Sequence, residues 1–273
     1  MAPATGSFES RGLRLAYQEA GEGPLALLFL HAFPLSRRFW EPQLAALSGS
    51  FRCIASDLAG FGDSGLPQPG DTSRMSDFAA DARALLDHLG IDRAVLCGCS
   101  MGGYAALAFA ADFPGRLAGL VLADSRAGAD TPQGRDGRLV MAQRVLAEGT
   151  GFVAESMIPR LLGRTSLERR PEVRAWLERE IAAAPPAGIA AAQRGMAERP
   201  DRMDLLPRLA VPALILVGEE DELTPPEESF RMARAIPGAR TVVLPEAGHL
   251  ASRERPDVFN RALDEFLRES SIS

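Results

Sequence analysis

Short uninterrupted apolar runs alternate along this chain with longer segments in which apolar residues return every three or four positions. Bounded by turn residues, the runs at 13–19, 25–30, 52–56, 94–98, 117–123, 213–217 and 240–244 predict strands. Several are apolar on both faces, as strands of a parallel sheet covered from both sides must be. The helical period occupies 76–89, 101–112, 226–235 and 256–268. Pro256 and Asp257 open the last of these, a first-turn proline followed by an acid near the positive end of the helix. Strand, helix and strand in succession predict an α/β fold built on a mostly parallel sheet.

The alternation stops between Asp124 and Pro212. Segments 137–148, 151–162, 167–184 and 188–198 read as helices separated by Gly and Pro, with no strand pattern among them. Because strands resume directly afterwards, 125–211 is expected to be a helical insertion over a core made of 1–124 and 212–273. A separate helical domain is the alternative, and it would cut the sheet in half.

Composition narrows the function more than the fold. A chain of 273 residues is long enough for one large core carrying such an insertion. All 30 basic residues are arginine, which excludes a Schiff-base lysine, a phosphate-loop lysine and a pyridoxal anchor together. A net charge of −6 without a basic stripe argues against nucleic acid as a partner. No window reaches the roughly 18 apolar residues of a membrane span, and no basic stretch followed by an apolar run opens the chain. A cytoplasmic protein without a membrane partner, acting on small molecules, is therefore expected. Cys53, Cys97 and Cys99 are odd in number and form no C-x-x-C pair, so neither disulfides nor zinc are expected. No cofactor of any kind is called for.

The stretch LCGCSMGGYAA, residues 96–106, holds three side chains capable of nucleophilic chemistry. Gly98-Cys99-Ser100-Met101-Gly102 fits G-x-S-x-G, with an apolar strand running in and an alanine-rich helix running out. Glycines two before and two after Ser100 make room where strand and helix cross, and only Ser100 has that frame. Cys97 lies back in the strand as a buried small hydrophobe, and Cys99 fills the variable position.

A serine needs a base oriented by a carboxylate. Of three histidines, His88 sits near the end of helix 76–89, where a cation complements the dipole, and a surface role is expected. His31 closes a strand in LFLHAFPL. His249 follows the last strand in VVLPEAGHLASRERP, at the sheet edge that also carries Ser100, and is expected to be the base. Asp221, in the loop after 213–217, and Asp124, at the end of 117–123, compete to orient it; both satisfy the chain order Ser, Asp, His. Asp221 is preferred because Asp124 can serve instead to cap the start of the insertion. Glu219, Glu220 and Glu222 are expected to be solvated. The oxyanion requires two main-chain donors. Met101 qualifies by following the nucleophile at a helix N-terminus, and Phe33 of HAFP qualifies because Pro34 has no amide to give.

These motifs resemble the α/β-hydrolase superfamily along nearly the whole chain. HAFPLSRRFWEPQ, IASDLAGFGDSG, GCSMGGY, LVGEEDELTP and AGHLASRERPDVFNRALDEFL are similar, in order, to its oxyanion loop, aspartate-glycine-serine loop, nucleophile elbow, acid loop and histidine loop. The resemblance implies an eight-stranded sheet with a helical lid between strands six and seven, and it is nearest to 3-oxoadipate enol-lactonases and small-ester hydrolases. It weighs against the family's dehalogenases and epoxide hydrolases, which carry aspartate at the elbow. The implied chemistry is hydrolysis of a small ester or lactone through an acyl-enzyme, with carbon–carbon, amide and perhydrolase reactions, or a slow ligand sensor, as alternatives. Ala32 stands where much of the family has glycine, at a cost of about 1 kcal/mol if the backbone there takes positive φ. Asp57, Gly60, Gly62 and Ser64 are expected to shape a loop rather than to catalyse.

Overall fold

The structure, a computed structural model, describes residues 3–270, so positions 1–2 and 271–273 of the expected core lie outside the described residues. Apart from short 3-10 turns, its elements are β1 (Ala4–Ser10), β2 (Leu13–Ala20), β3 (Ala26–Leu30), α1 (Glu41–Leu47), β4 (Arg52–Ser56), α2 (Met75–His88), β5 (Ala94–Cys99), α3 (Met101–Asp112), β6 (Leu117–Ala123), α4 (Pro132–Glu148), α5 (Gly151–Leu161), α6 (Arg164–Arg169), α7 (Pro171–Ala183), α8 (Pro186–Ala197), β7 (Ala213–Gly218), α9 (Pro226–Ala235), β8 (Arg240–Leu244), α10 (Ala251–Glu254) and α11 (Pro256–Glu269). One sheet contains all eight strands in the order β1-β2-β4-β3-β5-β6-β7-β8. From β4 through β8 every neighbouring pair is parallel, and β2 pairs antiparallel with both β1 and β4.

The apolar runs became these strands because both faces of the sheet are covered. Every residue of β3, β5, β6 and β7 is buried, which is why these strands read as continuous apolar segments without alternation. The strand order reverses between β3 and β5, since the chain steps outward from β3 to β4 and then returns to the other side. Loops leaving the carboxyl ends of β3 and β5 therefore diverge and leave a crevice, the place where open α/β sheets bind ligands. Leu30 pairs with Gly98 across that boundary, so the loops carrying His31–Pro34 and Ser100 start side by side.

Two elements depart from the hydrophobic pattern. β1, of sequence ATGSFES, buries only Phe8 and Ser10, and such a polar edge strand leaves no periodic signal. It is placed by its turn, because Arg11 and Gly12 both take positive φ, the backbone of a tight two-residue hairpin. The expected helix 167–184 is in fact two, α6 and α7. Pro171 lacks the amide needed to continue, and Arg170 before it leaves the helical region with φ −128° and ψ 64°.

The helices α4 to α8 all fall between β6 and β7, the position of the helical lid. Ala32 is not among the residues with positive φ, so alanine carries no backbone strain there. The 57–64 loop is built as expected. Gly60 and Gly62 take positive φ, Asp57 accepts from the Asp63 amide at 2.8 Å, and the Ser64 hydroxyl donates to the Asp57 carbonyl at 2.8 Å.

Asp81 fastens the β1–β2 hairpin to α2. Its buried carboxylate accepts from Ser10 Oγ at 2.6 Å and from Arg11 Nε and Nη2 at 2.9 and 2.8 Å. Asp81→Ala removes the acceptor shared by these donors and is expected to destabilise the fold by about 2 kcal/mol, read as a lower urea midpoint.

Candidate active site

At the end of β5 the chain turns into α3 within one residue. Ser100 occupies that turn with φ 52° and ψ −112°, a conformation that a non-glycine residue holds only when its surroundings force it. The surroundings do. A Cβ on Gly98 would strike the backbone of Gly102, a Cβ on Gly102 would strike the Leu30 carbonyl, and one on Gly103 would strike Ser125. Gly103 was not singled out from the sequence, although the doubled glycine of SMGG was its signal. The Ser100 amide donates to the Ala123 carbonyl at 2.9 Å, and Ser125 Oγ donates to the Ser100 carbonyl at 3.0 Å, so β6 holds the turn from the other side.

Ser100 Oγ lies 2.8 Å from Nε2 of His249. Nδ1 of the same ring lies 2.9 and 3.1 Å from the two carboxylate oxygens of Asp221. Asp221 also accepts from the amides of Leu223 and Thr224 at 2.8 and 2.9 Å and from Thr224 Oγ1 at 2.7 Å. Burial alone would raise the pKa of Asp221, but the facing His249 ring and these hydrogen bonds outweigh it and hold the carboxyl below its usual range. Thr224, which also lies 3.2 Å from His249 Nδ1, was read in the sequence only as part of the turn after Asp221. Its place directly after EDEL was the available signal.

Asp124 is close by but faces elsewhere. Its carboxylate accepts from the amides of Gly218 at 2.9 Å and Ala251 at 3.0 Å, thereby tying the end of β7 to the loop that carries His249. Complete burial, and then the charge of Asp221, push its pKa well above the ordinary carboxylate range, against the two amides. A second buried carboxylate, Glu254, clamps the same loop. It accepts from the amides of Gly248 at 2.9 Å and Leu250 at 3.2 Å, on either side of His249, and from the amide of Gly163 in the helical insertion at 2.9 Å. Glu220, expected to be solvated, instead accepts from the amide and hydroxyl of Thr165 at 2.8 and 2.6 Å, while Glu219 and Glu222 are exposed.

The remaining residues fall into quieter places. His31 is fully buried: the Leu58 amide donates to its Nε2 at 3.0 Å and its Nδ1 donates to the Ala32 carbonyl at 3.0 Å. Burial depresses its pKa, so it is a neutral strut under the 31–34 loop. His88 is exposed at the last residue of α2, among the rings of Phe8 and Tyr17. The three cysteines are buried and unpaired, and burial pushes the thiols of Cys97 and Cys99 well up, away from the thiolate form. The Phe33 amide has no acceptor among the described residues. Met101, as the first residue of α3, has an amide that no helical carbonyl reaches.

Above Ser100 lies a cavity of about 370 Å³. Phe33, Ser100 and His249 form its floor, and Met141 of α4, Leu161 of α5 and Gln193 of α8 belong to its walls. Among the described residues no cluster of His, Cys, Asp and Glu could hold a metal ion, and no helix is long and apolar enough to cross a membrane.

A strained serine between strand and helix, a histidine and an acid delivered by later loops, and helices inserted after the sixth strand define a class. The chain belongs to the alpha/beta hydrolase fold family, whose model matches residues 26–256. An esterase from Thermogutta terrifontis solved with malate bound is similar at 44% identity and a TM-score of 0.92, over 98% of this chain and 99% of that one. The enol-lactonase of Burkholderia xenovorans is similar at 30% identity and a TM-score of 0.89, over 97% and 100%. In sequence, 3-oxoadipate enol-lactonase 2 of Acinetobacter baylyi is 29% identical over 243 residues, 89% of this chain and 88% of its own length. Haloalkane dehalogenases are also among the relatives, so family membership by itself leaves the cleaved bond open.

Because the folded-state pKa of Asp124 is raised, the folded protein holds a proton there that the unfolded chain gives up near pH 4. The stability of the wild type relative to Asp124→Asn is therefore expected to fall as pH rises from about 4. Urea unfolding of both proteins across a pH series checks this, and a difference growing with pH contradicts it.

Proposed function

We propose that this protein is a serine hydrolase of small carboxylic esters or lactones. The observation that carries the reading is the continuous hydrogen-bond chain from Ser100 Oγ at 2.8 Å to His249 and from His249 at 2.9 Å to Asp221. Ser100 is the nucleophile, His249 the base and Asp221 the group that orients and charges the ring. As Oγ attacks the substrate carbonyl, its proton passes to Nε2 of His249, and the amides of Phe33 and Met101 donate to the oxygen that becomes negative. Collapse of the tetrahedral species returns the proton to the departing alkoxide and leaves an acyl group on Ser100. Water then repeats the sequence, deprotonated by the same His249, and releases the acid.

The commitment of Asp124 to the amides of Gly218 and Ala251 favours Asp221 as the acid of the triad. The segment 125–211 acts as a cap on the core formed by 1–124 and 212–273, excluding bulk water and shaping the substrate cavity. A serine at the elbow sets the chain apart from dehalogenase chemistry, which needs a carboxylate at that position. The esterase and enol-lactonase relatives support an ester or lactone carbonyl as the target.

Turnover of a p-nitrophenyl ester provides the test. Ser100→Ala is expected to abolish it, and Asp221→Asn to lower kcat by about 10⁴-fold with the fold intact. A stoichiometric burst of nitrophenol followed by silence in the wild type identifies a slow ligand sensor instead.

A further inference from the structure

We infer that Tyr104 limits how long an acyl group the site accepts, by closing the cavity beside Ser100 off from a second pocket that a longer chain would fill. The inference rests on the serine-hydrolase reading and goes further by naming the side chain that sets acyl length. It begins from two hollows that share a wall. The second pocket, of about 140 Å³, is lined like the first by Tyr104 and Arg126. Met75 at the start of α2, Leu107 and Ala108 of α3 and Ala127 after β6 give it an apolar interior, and the exposed pair of Arg74 and Glu198, 3.1 Å apart, stands at its rim.

The wall is stiff. Tyr104 stands four residues beyond the nucleophile, about 6 Å along α3, and its amide donates to the Ser100 carbonyl at 3.1 Å. Its side chain is buried. The guanidinium carbon of Arg199 lies 4.1 Å from the centre of its ring, and Arg126 faces its hydroxyl. Arg199 is itself pinned. Its Nη2 donates to the Gly128 carbonyl at 2.8 Å and to Asp130 at 3.0 Å, and its Nη1 is buried without an acceptor. Burying a cation is unfavourable, and the negative face of the ring offsets part of that cost, so cation and ring hold each other in place.

The chemistry decides which part of the substrate meets this wall. The departing alkoxide takes its proton from Nε2 of His249, so the alcohol portion leaves beside that ring. His249, Leu223 and Thr224 line the first cavity and not the second. The acyl portion therefore extends the other way, toward Tyr104. A short acyl chain fits between Ser100 and the phenol, and a longer one collides with it. Behind the ring lies apolar surface able to take up the excess methylenes, each contributing about fourfold to binding when buried.

The test compares p-nitrophenyl butyrate with p-nitrophenyl octanoate, which share a leaving group and differ only in acyl length. The wild type is expected to favour butyrate in kcat/KM by about tenfold or more. Tyr104→Ala is expected to raise the octanoate-to-butyrate ratio by about tenfold or more. Adding Ala108→Leu, which fills the second pocket, is expected to return the ratio toward that of the wild type. Should the alanine variant fail to fold, Tyr104→Leu keeps an apolar side chain on α3 and is expected to move the ratio the same way by less. Equal use of both esters by the wild type, an unchanged ratio in both Tyr104 variants, or a gain that survives Ala108→Leu overturns the assignment. Calorimetric titration with butyrate and octanoate separates this inference from the reading beneath it. If no ester is hydrolysed but Tyr104→Ala gains octanoate binding that Ala108→Leu removes, the wall stands and the hydrolase reading falls. If esters are hydrolysed through Ser100 and no such gain appears in rate or binding, the hydrolase reading stands and the wall falls.

Discussion

The architecture of the site depends on how closely helix α3 can cross the end of strand β3. At that crossing the backbone of Gly102 lies against the Leu30 carbonyl with no room for a methyl group, and Gly98 lies equally tight against Gly102. The contact forces Ser100 into a left-handed conformation, and that conformation lifts its side chain out of the sheet toward the cavity. The same crossing brings the loop after β3 alongside the serine, which is why Phe33 and Met101, far apart in sequence, both present free amides there. Local strain at one residue is thus sustained by packing between three segments, and the remaining proposed site residues converge on the place it creates.

Much of this was readable from residues, and the exceptions have physical reasons. Buried parallel strands leave apolar runs, so β4 and β6 lie where the pattern puts them to the residue, and so does β8, an edge strand mostly half-exposed whose short run is bounded by turn residues. α3 and α9 begin and end at the expected positions as well, because a strained turn and a proline mark their starts. β1 was invisible because an exposed edge strand needs no apolar face, and the split between α6 and α7 hid in a single proline. At the site, spacing singled out Ser100 and elimination singled out His249. The sequence preferred Asp221 to Asp124 only by the loop it occupies, because both acids close a strand at the same sheet edge; in space the two carboxylates face different ways, Asp221 toward His249 Nδ1 and Asp124 toward the amides of Gly218 and Ala251. Glu254 and Glu220 were passed over for a similar reason: an acid that accepts backbone amides has the same letter as one that meets only water.

Buried carboxylates have two distinct uses in this chain. Asp221 is kept ionised by an imidazole and by donors arranged around it. Asp124 and Glu254 are pushed toward the neutral form by burial and serve as acceptors for amides, Asp124 at the end of β7 and the start of α10 and Glu254 in the loops at Gly163, Gly248 and Leu250. Two acids a short distance apart are thereby driven to opposite behaviour by their surroundings, one electrostatic and one architectural. The loop bearing His249 is held by the architectural pair on both sides, at Gly248, Leu250 and Ala251.

The glycine column at that loop has a consequence for how such proteins diversify. Gly218 at the end of β7 meets the backbone of Gly248, and Gly248 in turn meets the backbone of Gly163, with Glu254 hydrogen-bonded across the same joint. The inserted helices are therefore not a detachable hat joined only at their two ends to β6 and β7. A chimaera that exchanges them for those of a relative severs this attachment too, and must transplant the Gly163 joint with its matching histidine loop to keep the imidazole in register.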